Sequence, residues 1–415
     1  MLKTISPANF SGNVTVPSSK SINHRAIIAA SLTSGTSHLS NVSLSDDIRA
    51  TIGAMEQLGA DIKIDGSNLE IQGIPATSFL SHSEEEIVID CAESGSTLRF
   101  LIPILCLFPR KFRLLGRGKL LERPLTPFEP ILAANRIGFD FGSEAILIDA
   151  SQDQLVAGHY HLPGNVSSQF LTGLLFALPL IVGDSKITID GPLESVGYID
   201  LTLQTLAEFG IEIEHANYQE YRIEGSQSYS AKDCSIEGDY SQAAFFLVAN
   251  YLGHALTLLG LRENSLQGDR AIIDFLRKLD EAVEGGQPLV IDGSQCPDII
   301  PVFTLAACFA KVAVHIVNVE RLRIKECDRL AATVLELNSL GANLVEHEDW
   351  IEVHPIDHLI GGVTVSSHND HRMAMMLAVA GSICQKSISI TQAESVSKSF
   401  PHFWEVYQEI GGIAQ

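Results

Sequence analysis

The sequence is short of positive charge, of aromatic residues and of any pattern that would pair its cysteines. It has 28 Lys plus Arg against 50 Asp plus Glu, a formal net charge of −22. It therefore lacks the broad basic excess that a nucleic-acid or anionic-membrane surface needs. Any anionic ligand must be met by a local cluster of cations. The seven cysteines, Cys91, Cys106, Cys234, Cys296, Cys308, Cys327 and Cys384, form no CxxC pair, and their odd number leaves at least one unpaired within a single chain. That distribution reads as reduced thiols in the cytoplasm rather than as a disulfide or zinc framework. No apolar run reaches the ~20 residues of a membrane-spanning helix. The longest, FLTGLLFALPLIVG at 170–183, holds Pro179 and two glycines and reads as a core helix and the turn after it. The N-terminal MLKTISPANFSGNV has neither a signal-peptide stretch nor the Arg-rich character of an import sequence, so the mature chain is expected to start near Met1.

What is present is a large apolar fraction, 46% of 415 residues, enough to bury an extensive core in two to three domains. One pattern recurs: an amphipathic segment ends at a glycine and an alternating strand follows, as in AMEQLGADIKI (54–64), ILAANRIGFDF (131–141), LQTLAEFGIEIE (203–214) and VLELNSLGANLVE (334–346). The anchoring glycines Gly59, Gly138, Gly210 and Gly341 stand 79, 72 and 131 positions apart. The last gap is nearly double, so a further copy is expected near 275, where IIDFLRKLDEAVE has the helical pattern without the glycine. The tail FWEVYQEIGGIAQ makes a sixth copy, giving six βα-rich units of about 69 residues each.

A second element recurs: a polar start followed by a helix apolar on most faces, as in SKSINHRAIIAASL, ESGSTLRFLIPILCLF, SSQFLTGLLFALPL, DYSQAAFFLVANYL, PDIIPVFTLAACFA and NDHRMAMMLAVAGSI. Such helices read as buried beneath sheets. Ser, Thr and Asp at their starts cap the first free N–H groups. Lys and Arg do not fit that explanation, because the positive end of a helix dipole disfavours them unless an anion joins them. Eleven of the 28 basic residues fall in such short stretches: Lys20, Arg25, Arg99, Lys119, Arg123, Arg321, Arg323, Lys325, Arg329, Arg372 and Lys398. Taken singly, each cluster reads as surface ion pairing; taken together, they point to a shared site for phosphate or carboxylate. RLRIKECDRL (321–330) and NDHRMA (369–374) also set acids beside bases, which suits proton transfer, although such strings alone are commonly solvated helix starts. Asp298, between prolines in CPDIIP, reads either as an N-cap or as part of this chemistry.

In this order, PSSKSINHRA, ESGSTLRF, ERP (122–124), SSQF (167–170), YIDLT (198–202), EGDYS (237–241), PD (297–298), RLRIKECDRL, NDHRMAM and SKSFPHF (397–403) resemble the EPSP synthase family of enolpyruvyl transferases, from about residue 16 to 403. The resemblance implies an α/β (α+β) two-domain enolpyruvyl transferase fold. Its six βαβαββ-type repeats have buried helices, and the active site lies in the interdomain cleft, closing on substrate. The chain would cross twice, with residues 16–230 as the N-terminal globular domain and 1–15 with 231–415 as the C-terminal one. The reaction implied joins the 5-hydroxyl of shikimate 3-phosphate to C2 of phosphoenolpyruvate, with protonation at C3 and then loss of phosphate. It implies no metal and no organic cofactor, a monomer as the default, and inhibition by glyphosate competitive with phosphoenolpyruvate.

Carried over motif by motif, the resemblance assigns Lys20, Ser21, Arg25, Ser167, Ser168, Gln169, Ser195, Tyr198, Asp298 and Lys325 to shikimate 3-phosphate. It places Lys20, Gly95, Lys119, Gln169, Arg329, Arg372 and Lys398 around phosphoenolpyruvate. Asp298 would serve the 5-hydroxyl with Lys20, and Glu326 the methyl carbon; His371 and Lys398 are secondary catalytic candidates. Three positions depart from the family pattern. Glu93 stands where Asn is usual, adding negative charge unless it turns away or meets a cation. Lys119 stands where Arg is frequent, so a forked grip becomes a point contact. Arg321, where a smaller polar residue is common, is not assigned. The sister UDP-N-acetylglucosamine enolpyruvyl transferase carries a reactive loop cysteine, whereas Cys106 sits in the apolar run FLIPILCLF. SSKS and GRGKL lack P-loop spacing, which disfavours a kinase. A protein that binds without turnover would not need Asp298 and Glu326 together.

Overall fold

A computed structural model describes residues 1–80, 82–83 and 85–415, and the chain divides into two compact units, Lys20–Ile236 and Met1–Ser19 with Glu237–Gln415. One motif is repeated in both. Its clearest copy runs strand Glu86–Asp90, helix Gly95–Leu105, strand Lys111–Leu115, helix Glu129–Ala134 and the hairpin strands Gly138–Phe141 and Ile146–Asp149. The first two strands pair in parallel and the hairpin adds antiparallel, with its last strand inside. This is a βαβαββ unit, and the helix between the parallel strands supplies the long crossover that parallel pairing requires.

The same order recurs from His159–Pro163 to Glu220–Ile223, and from Leu289–Asp292 to Ile351–His354. In the last repeat, Leu2–Ser6 takes the inner antiparallel position, between Ile388–Thr391 and Ile413–Ala414. The first and fourth repeats exchange their opening strands. Ser11–Thr15 leads in sequence to the helix Lys20–Ser31 yet pairs in parallel with Ala255–Leu259. Cys234–Ser235 leads to the helix Tyr240–Tyr251 yet pairs in parallel with Thr36–Ser40. The fourth repeat departs from the expected helix-then-hairpin pattern: after the helix Ala271–Gly285 the chain goes directly to Leu289–Asp292, the opening strand of the next repeat. The left-handed cap of that helix is Gly286, and at the helix ending at Ala134 it is Arg136, with Gly138 already in a strand.

Two kinds of helix follow from two kinds of sequence. Ala271–Gly285 is amphipathic and buries Ile272, Phe275 and Leu279, one stripe of its surface. Ile300–Cys308 buries every residue, and in Gly95–Leu105 only Ser96 is not buried. The buried helices sit close together where small residues allow it. Pro103 cannot donate to the Arg99 carbonyl one turn back, and a Cβ on Gly173 of the helix Ser168–Ala177 would stand 2.7 Å from that carbonyl oxygen. Among the described residues, no helix is long and apolar enough to cross a membrane.

Candidate active site

In the unit Lys20–Ile236, the starts of the buried helices are joined by polar side chains. Lys20 opens the first helix and donates from Nζ to Asp47 Oδ2 at 2.8 Å, in the first turn of the helix Asp46–Gln57. One turn on, Arg25 is buried and donates to three neutral oxygens: Ser21 O at 2.7 Å, Thr202 Oγ1 at 2.9 Å and Tyr198 O at 2.9 Å. Its guanidinium stands over the Phe100 ring, 5.1 Å from the centroid. No carboxylate among the described residues pairs with it, and burial pushes its pKa down to about 9. A buried cation bonded only to neutral groups is costly until an anion reaches it.

Arg99 donates to Gln169 Oε1 at 2.8 Å and to the Pro124 carbonyl at 3.2 Å, and Gln169 Nε2 donates to Ser96 Oγ at 3.0 Å. Ser167 caps the next helix through the Gln169 N–H, Ser168 is buried at its first position, and Ser195 is held left-handed, φ 58°, before the helix Val196–Glu208. A non-glycine residue in that region is strained, and such strain concentrates at functional sites. Gly95 carries the Arg123 guanidinium against its backbone: a Cβ there would stand 2.7 Å from Nη1. The Glu93 carboxylate lies against Gly118, where a Cβ would be 2.6 Å from Oε2, so it turns to the 116–119 loop. Lys119, on that loop, is exposed.

In the other unit, a single guanidinium organises three carboxylates. Arg329, 1% exposed, donates to Asp370 Oδ2 at 2.6 Å, Asp298 Oδ1 at 2.8 Å and Glu326 Oε2 at 2.5 Å. Asp298 also meets Arg372 at 3.0 Å and Lys325 at 3.7 Å. Asp298 is therefore no N-cap: its carboxylate points to three cations. The expectation of solvated helix starts at RLRIKECDRL and NDHRMA also fails, since Arg329, Asp370, His371 and Arg372 are buried. His371 Nδ1 lies 3.9 Å from Asp370 Oδ1, and Lys398 Nζ donates to the Asn369 carbonyl at 2.5 Å. Burial lowers the Lys325 pKa to about 8, with Arg321 and Arg329 adding to the fall and Asp298 opposing it. Among the described residues, no group of three or more His, Cys, Asp or Glu side chains is arranged to hold a metal ion.

Three participants escaped the sequence reading. Asp47 looks like an ordinary acidic helix start, Thr202 like a helix-interior residue, and Asp269 carries no local signal. Asp269 accepts from the Ser241 hydroxyl and is buried. Burial, with the charge of Asp298, raises its pKa to about 6, against the charge of Arg372. A carboxyl raised on folding binds its proton more tightly in the native state. Its stabilising contribution is therefore full below the ordinary carboxyl value and is lost as pH rises through about 6. Asp269→Asn is accordingly expected to stabilise the protein at pH 8, by up to about 3 kcal/mol, and not at pH 4. Melting curves at the two pH values check this, and equal shifts at both would refute it.

A model of the EPSP synthase (3-phosphoshikimate 1-carboxyvinyltransferase) family matches residues 5–407. The chain is 46% identical over 423 residues to the 3-phosphoshikimate 1-carboxyvinyltransferase of Clostridium beijerinckii, covering 99% of this chain and 97% of that one. It is 45% identical over 424 residues to that of Clostridioides difficile, covering 98% and 97%. An EPSP synthase structure from Acinetobacter baumannii superposes with a TM-score of 0.79 at 22% identity, covering 100% of this chain and 99% of that one, which establishes the shared fold. With the family matched nearly end to end, and with relatives close to half identical over their whole length, this chain belongs to the EPSP synthase family.

Proposed function

We propose that this chain transfers the carboxyvinyl group of phosphoenolpyruvate to the 5-hydroxyl of shikimate 3-phosphate, in the shikimate pathway to chorismate and aromatic amino acids. The observation that carries this reading is end-to-end identity of 46% to a relative named for that activity. The site adds physical support: among the described residues no carboxylate pairs with buried Arg25, and Arg329 gathers Asp298 and Glu326. In the first step, the 5-oxygen bonds to C2 of phosphoenolpyruvate as Asp298, assisted by Lys20, takes the hydroxyl proton, and C3 gains a proton from Glu326. In the second, the C2–O bond to phosphate breaks and C3 gives its proton back, restoring the double bond. His371 and Lys398 are secondary participants. Ser21, Arg25, Ser167, Ser168, Gln169, Ser195, Tyr198 and Lys325 hold shikimate 3-phosphate. Gly95, Lys119, Arg329, Arg372 and Lys398 surround phosphoenolpyruvate with Lys20 and Gln169.

We take Lys20–Ile236 and the remainder as the two functional domains and the protein as a monomer. The scatter of its seven cysteines, with no CxxC pair among them, supports a place in the cytoplasm. The deciding experiment is phosphate release from phosphoenolpyruvate with shikimate 3-phosphate, beside the same assay with UDP-N-acetylglucosamine. Release only in the first mixture is expected; release only in the second, or in neither, overturns the proposal. Glyphosate is expected to inhibit competitively with phosphoenolpyruvate. Because a Cβ at Gly95 would displace the Arg123 guanidinium, Gly95→Ala should raise the glyphosate Ki at least ~tenfold and raise KM for phosphoenolpyruvate. An unchanged Ki would show that the contact at Gly95 does not matter.

A further inference from the structure

The turn 366–370 supplies two groups to the cluster around Arg329: the Asn369 carbonyl, which accepts from Lys398 Nζ at 2.5 Å, and the Asp370 carboxylate, which accepts from Arg329 Nε at 2.6 Å. That turn is strained, because His368 (φ 52°) and Asn369 (φ 56°) are consecutive non-glycine residues in the left-handed region. Two such residues persist only where the surroundings hold them. Ser367 in the turn is tied to the segment 391–395, donating from its N–H to Thr391 O and from its hydroxyl to Gln392 O, and one helix holds the residues on either side of it. Arg329–Ser339 begins with Arg329, and Glu336 follows two turns later on the same face. Glu336 is buried; its Oε1 lies 2.7 Å from His368 Nε2 and its Oε2 accepts from the Ser366 N–H at 3.1 Å. The Ser366 hydroxyl in turn accepts from the His368 N–H at 3.0 Å. One helix thus grips the turn at both ends, through Glu336 at its beginning and Arg329 at its end.

We propose that Glu336 and His368 are positioning residues: together they hold the 366–370 turn in its strained form and so set where the Lys398 ammonium and the Arg329 guanidinium stand for phosphoenolpyruvate. Neither residue touches the reacting atoms. The inference rests on the assignment of Lys398 and Arg329 to phosphoenolpyruvate given above. It predicts a selective defect, because most of the residues assigned to shikimate 3-phosphate belong to the unit Lys20–Ile236, whereas the turn and its clamp belong to the other unit.

The test is steady-state kinetics of His368→Ala, Glu336→Ala and Glu336→Gln, with Lys398→Ala as the reference. His368→Ala and Glu336→Ala should raise KM for phosphoenolpyruvate at least fivefold and leave KM for shikimate 3-phosphate within twofold. Glu336→Gln keeps an acceptor for Ser366 and a partner for His368, so it should stay within twofold of the parent enzyme for both substrates. His368 is partly exposed, so His368→Ala decides the matter if Glu336→Ala does not fold. An unchanged KM for phosphoenolpyruvate in folded His368→Ala overturns the inference, as does an equal rise in both KM values. An unchanged KM in Lys398→Ala overturns instead the assignment of Lys398 to phosphoenolpyruvate.

Discussion

Asp298→Asn should lower kcat about a thousandfold, the middle of the range for removing a positioned general base. The substitution keeps the size of the side chain and one oxygen, which can still face Arg329 and Lys325 at the Oδ1 position, 2.8 and 3.7 Å away, while the contact of Arg372 with Oδ2 at 3.0 Å is lost. Binding of the first substrate should therefore survive, and the loss should lie in the chemical step. Single-turnover phosphate release at saturating substrate separates the two, with the shikimate 3-phosphate thermal shift as the measure of binding. A kcat within tenfold of the parent would remove Asp298 from proton transfer and leave it as the counter-ion of its three cations. Asn cannot take a proton at any accessible pH, so raising the pH should not restore the rate.

Arg25→Ala carries the second large effect, on binding. The guanidinium is buried among neutral acceptors, its pKa lowered to about 9 by burial. An incoming phosphate would therefore gain charge-assisted hydrogen bonds in a poorly screened place, at ~1.5–3 kcal/mol each. Two such bonds correspond to a rise in KM for shikimate 3-phosphate of at least about a hundredfold. Arg25→Lys should not rescue it, since one ammonium cannot reach Ser21 O, Thr202 Oγ1 and Tyr198 O in the planar fork that Arg25 uses. The cleanest readout is the melting temperature with and without shikimate 3-phosphate. The ligand should stabilise the parent protein and leave the Arg25 variants unmoved. A shift of parental size in Arg25→Ala would exclude this residue from the phosphate site.

Much of the site was legible because its logic is local. Lys20 and Arg25 stand out at a helix start that the dipole makes unfavourable for cations, Lys325, Glu326 and Arg329 mix signs within one short stretch, and Asp298 stands between prolines before an apolar helix. The partners of these residues were not legible. Asp47 is 27 positions from Lys20 and Thr202 is 177 from Arg25, distances across which residue type carries no pairing signal. Glu93 shows the same limit in another form: its charge was conspicuous, but only the fold turns it onto Gly118. The glycine anchors also reached only so far. Gly59, Gly210 and Gly341 do take positive φ, whereas the corresponding cap after Ala134 is Arg136.

By itself the sequence determined the repeat, the two classes of helix and the clustering of cations at helix starts. Each of these is a matter of period, propensity or charge within a few turns of chain, where side chains meet whatever the rest of the fold does. The tertiary structure alone decided which strands close which sheets. Leu2–Ser6 completes the last repeat, and Ser11–Thr15 and Cys234–Ser235 change places between the first and fourth. A short strand pairs with whichever sheet edge offers matching hydrogen bonds and a core face for its side chains, and neither is written in its own few residues. The same holds for Arg329. Its position was plain in the sequence, but the convergence of Asp298, Glu326 and Asp370 on one buried guanidinium came only from packing three helix starts together.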